Sequence, residues 1–319
     1  MFSLFGRERP QLQLYGKLPL AKDYLRVGCG DGSTRELREW LDQAFGSARD
    51  VASQPVLGEP LRFLGQASDE PLQGCLWPSS DEGGKRTFPF ALCVERKRRA
   101  LLADLDEGLP HAEGIWRELE TLREGAELAG DGARFLDAFR GRELDLQSIE
   151  PRTPGRANWG DWLDALWPVE REAGLSRALE QIRDLARASL GGPWRLPLAR
   201  ELPLLDQVLA WLFALTELGA LPKGSVPTLF LPSGAGLLGV STREPAFAVF
   251  AADPVSSEQV GWLLPANPDT VLGARDLSRG IMPSEREPDA DGERAPPLKD
   301  SLRAMLASVR ARERGTQIH

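Results

Sequence analysis

Short runs in which apolar and polar residues alternate mark the first hundred positions of the chain. Residues 12–18 alternate in this way up to Pro19, which is typical of a half-buried strand. Residues 71–77 and 88–95 predict two more strands. The turn-rich segment 78–87 between them predicts a loop. The amino-terminal part therefore predicts a sheet.

Helical spacing predicts the partners of that sheet. Residues 35–45 place apolar side chains on one face and follow Ser33 and Thr34, which can cap a helix. Residues 112–139 are rich in Glu, Leu, Ala and Arg and predict a helix that is broken near Gly130. Both helices are expected to pack one face on the sheet.

The second half of the chain again mixes helical and strand-like patterns. Three helices are predicted, at 159–166, 176–190 and 204–218, with a proline-rich bend at 193–203. Short strands are predicted at 226–231, 237–240 and 246–250, followed by a helix at 257–264. This pattern predicts a second set of helices on a small sheet.

Two segments with the composition of linkers divide these elements. Two prolines and a glycine at 151–155 disfavour regular structure, and 283–297 is almost free of apolar residues. A last helix is predicted at 298–312, with a clean apolar stripe that suits docking either on its own domain or on a partner. We therefore predict a domain at 1–150, a second part at 156–282, and a polar linker with an amphipathic helix at 283–319.

Composition narrows the class of protein. The 319 residues are 42% hydrophobic and 27% charged, as in a folded chain, and the net charge of −8 disfavours nucleic acid as a partner. No segment reaches the roughly 20 apolar residues of a membrane helix, so no membrane insertion is expected. The amino terminus does not resemble a signal peptide, and the three cysteines form no close pair, which favours a cytoplasmic protein.

No catalytic motif is evident. The glycines of 234–239 match a dinucleotide fingerprint, but the residues after them are β-like, so a hairpin at 233–236 is favoured over a cofactor site. The loop 79–87 resembles a phosphate loop without its Gly-Lys-Ser/Thr order, although it could hold a single anion. With two histidines and no clustered cysteines, neither a catalytic triad nor a zinc site is indicated, and we predict no cofactor and no metal.

Two segments carry a family pattern. The first reads Tyr-Gly-Lys-Leu-Pro at 15–19 and continues to Arg26, and the second runs from Gly74 to Pro89. In order and spacing they resemble the amino-terminal domain of the TagF family, also called ImpM. The matching positions that we assign to loop and strand structure are Gly16, Pro19, Gly74, Pro78, Phe88 and Pro89. Lys22 and Lys85 stand where the family pattern has glycine.

The resemblance implies both a fold and a role. It implies a three-layer α/β/α sandwich for the first domain, and the residue patterns add a smaller mixed α/β part and the carboxy-terminal helix. It also implies a cytoplasmic, non-enzymatic, post-translational repressor of type VI secretion. Such a repressor works with a forkhead-associated scaffold protein and alongside a threonine kinase and phosphatase pathway.

Six polar residues of the two segments form the candidate site. They are Lys17, Asp23, Arg26, Ser79, Asp81 and Arg86, and we expect their turns to lie together at one edge of the sheet. The cluster either binds a partner or pins its own loops through hydrogen bonds within the Asp23–Arg26 and Asp81–Arg86 pairs. Two other functions stay open: an enzyme that uses the 79–87 loop on a phosphorylated or nucleotide substrate, and a structural component of the secretion machinery.

Overall fold

The computed structural model describes residues 8–30, 32–46, 56–65, 70–128, 130–153, 155–188, 192–233, 246–252, 263, 277 and 297–316. The fold is mixed α/β, as predicted. The strands are β1 (Gln13–Gly16), β2 (Leu25–Val27), β3 (Leu61–Gly65), β4 (Leu72–Trp77), β5 (Phe90–Glu95), β6 (Trp194–Leu198), β7 (Thr228–Pro232) and β8 (Ala246–Ala251). The helices are α1 (Gly32–Phe45), α2 (Arg98–Glu107), α3 (Pro110–Glu127), α4 (Gly132–Phe139), α5 (Trp159–Leu166), α6 (Glu172–Arg187), α7 (Leu204–Glu217) and α8 (Leu298–Thr316).

The strands form an antiparallel sheet in the order β2-β1-β5-β4-β3-β7-β8-β6. The chain divides into two compact units. The first comprises Met1–Arg152, Gly224–Val240 and Val249–Leu272, and the second comprises Thr153–Lys223, Ser241–Ala248 and Gly273–His319. Within the first unit, β7 pairs with β3 and with the second half of β8.

Different helices cover the two faces of the sheet in the first unit. Successive residues of a strand point to opposite faces, and β3 shows this clearly. The Phe63 ring lies near Phe230, on which Trp40 of α1 stacks, whereas Arg62 reaches the carboxylates of Glu113 and Glu120 on α3. The first unit is therefore an α/β/α sandwich, the architecture that the resemblance implied.

The predicted break near Gly130 separates α3 from α4. Asp131 caps α4, because its carboxylate accepts a hydrogen bond from the backbone N–H of Arg134 at 2.9 Å. The first residue of the helix, Gly132, donates its N–H to the carbonyl oxygen of Leu20 at 3.1 Å. This contact ties the start of α4 to the turn between β1 and β2.

In the second unit, helices surround a group of buried tryptophans. Trp162 lies 5.5 Å from Trp211, and Trp167 packs edge-on against both. The apolar stripe of α8 is docked within this unit, against α7, with Leu298 and Leu302 fully buried. The carboxy-terminal helix thus docks on its own chain, one of the two arrangements that the sequence left open.

The buried carboxylate of Asp206, at the start of α7, holds two other segments of the second unit. It accepts hydrogen bonds from the backbone N–H groups of Ala157, at 2.9 Å, and Leu298, at 3.3 Å. Burial raises the pKa of Asp206, although these hydrogen bonds oppose the shift. One side chain therefore joins the starts of α5, α7 and α8.

Two parts of the second half differ from the prediction. The proline-rich bend contains β6, which carries Pro197 and lies at the end of the strand order, the position in a sheet where a strand tolerates proline. The strand predicted at 226–231 pairs with β3 in the first unit instead of forming a separate small sheet. The strand at 237–240, the hairpin at 233–236 beyond Ser233, the linker at 283–297 before Pro297, and the helix at 257–264 apart from Leu263 lie outside the described residues.

Candidate functional site

The two family segments meet at one end of the sheet. Gly16, the last residue of β1, pairs with Phe90, the first residue of β5, and Phe90 also pairs with Trp77, the last residue of β4. The turns that continue from these strands therefore emerge side by side. The backbone N–H of Glu82 donates to the carbonyl oxygen of Ala21 at 3.0 Å. We call the surface formed by residues 17–26 and 78–89 the turn junction.

Asp81 organises the second turn. Its buried carboxylate accepts a hydrogen bond from Arg86 Nε at 2.6 Å and two more from the backbone N–H groups of Lys85 and Arg86, at 3.0 and 3.3 Å. The hydrogen bond from Arg86 is the main reason why the pKa of Asp81 lies below its usual value. The N–H of Gly84 donates to the carbonyl oxygen of Asp81 at 2.8 Å and closes the turn.

Arg86 joins the two turns. While its Nε holds Asp81, its Nη2 donates to the carbonyl oxygen of Lys22 in the other turn at 2.6 Å. More than half of the Arg86 side chain is nevertheless exposed. Arg86 is therefore both an organiser of the turns and part of their surface.

Close backbone approach explains two of the motif glycines. A Cβ on Gly16 would lie 2.1 Å from the carbonyl oxygen of Pro89, and the φ of Gly16 is +139°. A Cβ on Gly74 would lie 2.5 Å from the carbonyl oxygen of Leu92 in the neighbouring strand. Both contacts are far inside van der Waals distance, so only glycine lets β1, β4 and β5 approach in this way.

A small aromatic cluster supports the surface of the turn junction. Tyr24 stacks on Tyr15, with ring centroids 5.4 Å apart, and Phe88 meets Tyr24 edge-on at 4.9 Å. The ammonium of Lys17, a residue that is only 3% exposed, lies 4.9 Å from the centroid of the Tyr24 ring. Burial, and secondarily the positive charge of Arg86, lower the pKa of Lys17. Tyr24 itself remains 38% exposed, so the cluster presents a fixed aromatic ring to solvent.

The other candidate residues hold different positions. Asp23 and Arg26 are exposed, and no hydrogen bond or ion pair joins them within the part of the chain that the structure describes. An ion pair between an acidic and a basic residue of the same turn is thus present for Asp81 and Arg86, but not for Asp23 and Arg26 among the described contacts. Ser79 contributes its carbonyl oxygen, which accepts the N–H of Phe88 at 3.0 Å.

A buried ionic network in the first unit was not predicted. Arg62 of β3 donates to Glu120 from Nε and Nη2, both at 2.9 Å, and to Glu113 from Nη1 at 2.7 Å. Arg117 holds the other oxygen of Glu113, and the hydroxyl of Ser233 donates to Glu120 at 2.7 Å. An arginine inside the apolar run 61–64 was the signal in the sequence that could have indicated such a network.

The chemical groups that could support catalysis are sparse in the described part of the chain. Among those residues, no cluster of three or more His, Cys, Asp or Glu is placed to hold a metal ion. Burial raises the pKa of the Cys29 thiol to about 11 and raises those of Cys75 and Cys93 as well, which disfavours reactive thiolates. None of the described helices has the length and apolarity of a membrane span.

Comparison with known proteins places the turn junction in a family. Residues 13–138 match the family model described as TagF N-terminal domain, type VI secretion system-associated. No curated protein matches the chain. Among solved structures, PA0076 from Pseudomonas aeruginosa PAO1 is 15% identical, with a TM-score of 0.42, over 82% of this chain and 97% of that one. The match over residues 13–138 shows that this part of the chain is a TagF N-terminal domain, a domain described as type VI secretion system-associated.

Proposed function

We propose that this protein is a cytoplasmic, non-enzymatic regulator that represses type VI secretion after translation by binding a forkhead-associated scaffold protein. The observation that supports this proposal is the TagF N-terminal domain at residues 13–138, which contains most of the first unit's sheet and the whole turn junction. Resemblance to the family implies that the protein represses secretion and that its partner is a forkhead-associated scaffold. The turn junction supplies a surface suited to binding.

The turn junction has the properties of a binding surface. Tyr24 is held by stacking on Tyr15 and by the edge of Phe88, so little side-chain entropy is lost when a partner covers it. Tyrosine and arginine are enriched among the residues that dominate binding energy at protein interfaces. Asp23 and Arg26, exposed beside Tyr24, provide charges that a partner can pair with.

The loop at 79–87 gives little support to the enzyme alternative. A phosphate loop binds its substrate through free backbone N–H groups. Here the N–H groups of Lys85 and Arg86 donate to the Asp81 carboxylate, and that of Gly84 donates to the Asp81 carbonyl. We expect phosphate, nucleotides and magnesium to leave the melting temperature of the protein unchanged. A ligand at 100 times its dissociation constant would add about 2.7 kcal/mol of stability and would be detected.

Co-purification with the scaffold tests the proposal. Because Arg86 also holds the two turns together, reversing its charge would affect both the folding of the turns and the binding of the scaffold. Asp23 and Arg26 lack that structural role, so the double variant Asp23→Lys/Arg26→Glu is the better probe. We expect it to lose the tagged forkhead-associated scaffold of the same bacterium in a pull-down assay while keeping the melting temperature of the unmodified protein.

A matched control uses exposed charges outside the turn junction. Arg99 and Asp106 lie exposed on α2, and Arg99→Glu/Asp106→Lys makes the same exchange of charges there. The control is expected to retain the scaffold. Equal binding by both double variants would contradict a role for the turn junction. In cells, deletion of the gene should raise secretion of a type VI effector, and unchanged or lower secretion would contradict repression.

A further inference from the structure

Lys17 is a largely buried residue whose ammonium nitrogen still reaches solvent. Only 3% of the residue is exposed, and no hydrogen bond or ion pair to its ammonium is found among the described residues. The ammonium lies 4.9 Å from the centroid of the Tyr24 ring, and the carboxylates of Asp81 and Asp23 are near enough to act on its pKa in the upward direction. An ammonium that reaches solvent and makes no hydrogen bond has three donors that a ligand can use.

Arg86 supplies a second set of donors beside Lys17. Its Nε and Nη2 are engaged by Asp81 and by the carbonyl oxygen of Lys22, while its Nη1 makes no hydrogen bond within the described chain. The positive charge of Arg86 is one of the causes that lower the pKa of Lys17, so the two cations are close enough to interact. Two neighbouring cations with unused donors are suited to one anionic group.

The turn junction is positive on an otherwise acidic chain. Residues 17–26 and 79–88 contain five Lys or Arg and three Asp or Glu, which gives a net charge of +2, whereas the whole chain carries −8. Of the acidic residues, Asp81 is already committed to Arg86 and to the backbone of its own turn. Four of the five cations, Lys22, Arg26, Lys85 and Arg86, are exposed.

We propose that the turn junction binds an acidic segment of a partner protein and places one of its carboxylates between Lys17 and Arg86. This inference rests on the proposed function, because it specifies the chemistry of the surface that the partner presents. Carboxylates accept charge-assisted hydrogen bonds from ammonium and guanidinium groups. The stacked ring of Tyr24 contacts the apolar part of the same segment.

The spread of the cations favours an acidic segment over a small free anion. A single phosphate offers one anionic group, whereas Lys22, Lys85 and Arg26 add three exposed cations to Lys17 and Arg86. Several acidic side chains in sequence can meet these cations together. A segment also covers Tyr24, which a free anion leaves in water.

The two tyrosines of the chain make this site directly observable. Tyr15 and Tyr24 are the only tyrosines among the 319 residues, and both lie in the aromatic cluster. The full-length protein labelled with 3-fluorotyrosine therefore gives two fluorine resonances, and Tyr24→Phe assigns them. The probe is a capped hexaglutamate peptide, titrated at constant ionic strength with sodium chloride as the balancing salt.

We expect hexaglutamate to shift the Tyr24 resonance along a saturable curve, with a dissociation constant on the order of 1 mM from a few charge-assisted hydrogen bonds. Lys17→Met removes the ammonium charge and keeps an apolar stem of similar length, so it should weaken binding about tenfold or more. Lys97→Gln removes an exposed cation outside the turn junction and should leave the curve unchanged.

Three results would overturn the inference. The first is the absence of a saturable shift with hexaglutamate. The second is an unchanged binding curve in a Lys17→Met variant whose fluorine spectrum is otherwise that of the folded protein. The third is saturation by inorganic phosphate at a lower concentration than by hexaglutamate. The last result would assign the site to a free anion. If the scaffold is retained in the pull-down assay but hexaglutamate does not bind, only this inference fails. If hexaglutamate binds but the scaffold does not, the proposed function fails.

Discussion

Replacement of Arg62 by Met should strongly destabilise the first unit. The guanidinium is 4% exposed and makes three hydrogen bonds to two carboxylates that are themselves only 10% and 14% exposed. Met fills most of the volume but leaves the charges of Glu113 and Glu120 buried beside it. Removal of one partner from a buried ion pair costs about 3–5 kcal/mol, and we expect a loss in that range.

The loss should depend on pH in a defined direction. Although burial opposes it, Arg62 holds the pKa of Glu120 below its ordinary value of 4.5 in the folded protein. A lowered folded-state pKa contributes stability that is present above pH 4.5 and is lost as the pH falls through the folded-state pKa. Without Arg62, burial should raise that pKa instead, so protonation relieves the buried charge in the variant. The difference in stability between the two proteins should therefore be largest near pH 7 and narrow towards pH 4.

Hydrogen exchange measured by mass spectrometry can test this in the whole chain. Because the chain has two compact units, a single unfolding curve would mix their transitions, whereas peptides from β3 and α3 report on the first unit alone. The opening free energies are corrected for the intrinsic exchange rate at each pH. The control is Arg117→Met, which removes a half-exposed partner of Glu113 and should cost about 1 kcal/mol or less.

The apolar triple variant Arg62→Met/Glu113→Leu/Glu120→Met provides a second control. It removes every charge of the Arg62 pairs at once and should recover most of the stability, because no buried charge is left unpaired. A loss below 1 kcal/mol in Arg62→Met at pH 7 would refute the reasoning. A loss of equal size at pH 4 and pH 7 would refute the electrostatic explanation and leave only packing.

Three further predictions concern single side chains. Gly16→Ala should cost about 2–3 kcal/mol, because its Cβ would meet the carbonyl oxygen of Pro89 and its φ is positive. Hydrogen exchange in peptides from β1 and β5 measures this cost, and unchanged protection there would contradict it. Asp81→Ala should speed hydrogen exchange at Lys85 and Arg86, since their N–H groups lose their acceptor, while β4 and β5 stay protected. Equally slow exchange at Lys85 and Arg86 in the variant would show that Asp81 does not hold this turn. Asp206→Ala should speed hydrogen exchange at the start of α8, because two buried N–H groups lose their acceptor. Asp206→Asn keeps an oxygen acceptor there and should speed exchange less. Faster exchange in Asp206→Asn than in Asp206→Ala would show that the charge of Asp206, and not its role as an acceptor, matters.

Local patterns in the sequence were sufficient for the elements that bury one face. Residues 12–18 alternate between apolar and polar, residues 88–94 form an apolar run, and β1 and β5 form there. The apolar stripe of 298–312 became α8, whose buried leucines are those of the stripe. In these segments the local spacing of side chains and the tertiary packing agree, which is why a single sequence was enough.

Pairing between distant segments could not be predicted in the same way. The run at 226–231 is apolar on both faces and indicates a strand, but nothing local specifies that β7 pairs with β3 across more than 160 residues. Pro197 disfavoured a strand at 194–198, yet β6 accepts it because it lies at the end of the strand order. Arg62 is similar, since its partners on α3 are about 50 residues away and only the fold brings them together.

The candidate site was located by motif rather than by physical pattern. Resemblance to the family selected the residues of the two turns, and the order of β1, β5 and β4 in the sheet explains why these turns touch. The motif did not distinguish the roles of its members. Asp81 and Arg86 belong to the same acid and base pattern as Asp23 and Arg26, but only the first pair is joined by a hydrogen bond.

This division of roles has a consequence for how mutations in the turn junction should be interpreted. Arg86 is joined to Asp81 and to the backbone of the first turn, so its replacement changes the position of Tyr24 as well as the charge of the surface. A loss of binding in an Arg86 variant would therefore follow from either cause. Asp23 and Arg26 can be reversed, and Lys17 can be neutralised, without removing a described hydrogen bond. Binding measured in those variants reports on the surface itself, because the hydrogen bonds that hold the two turns together remain in place.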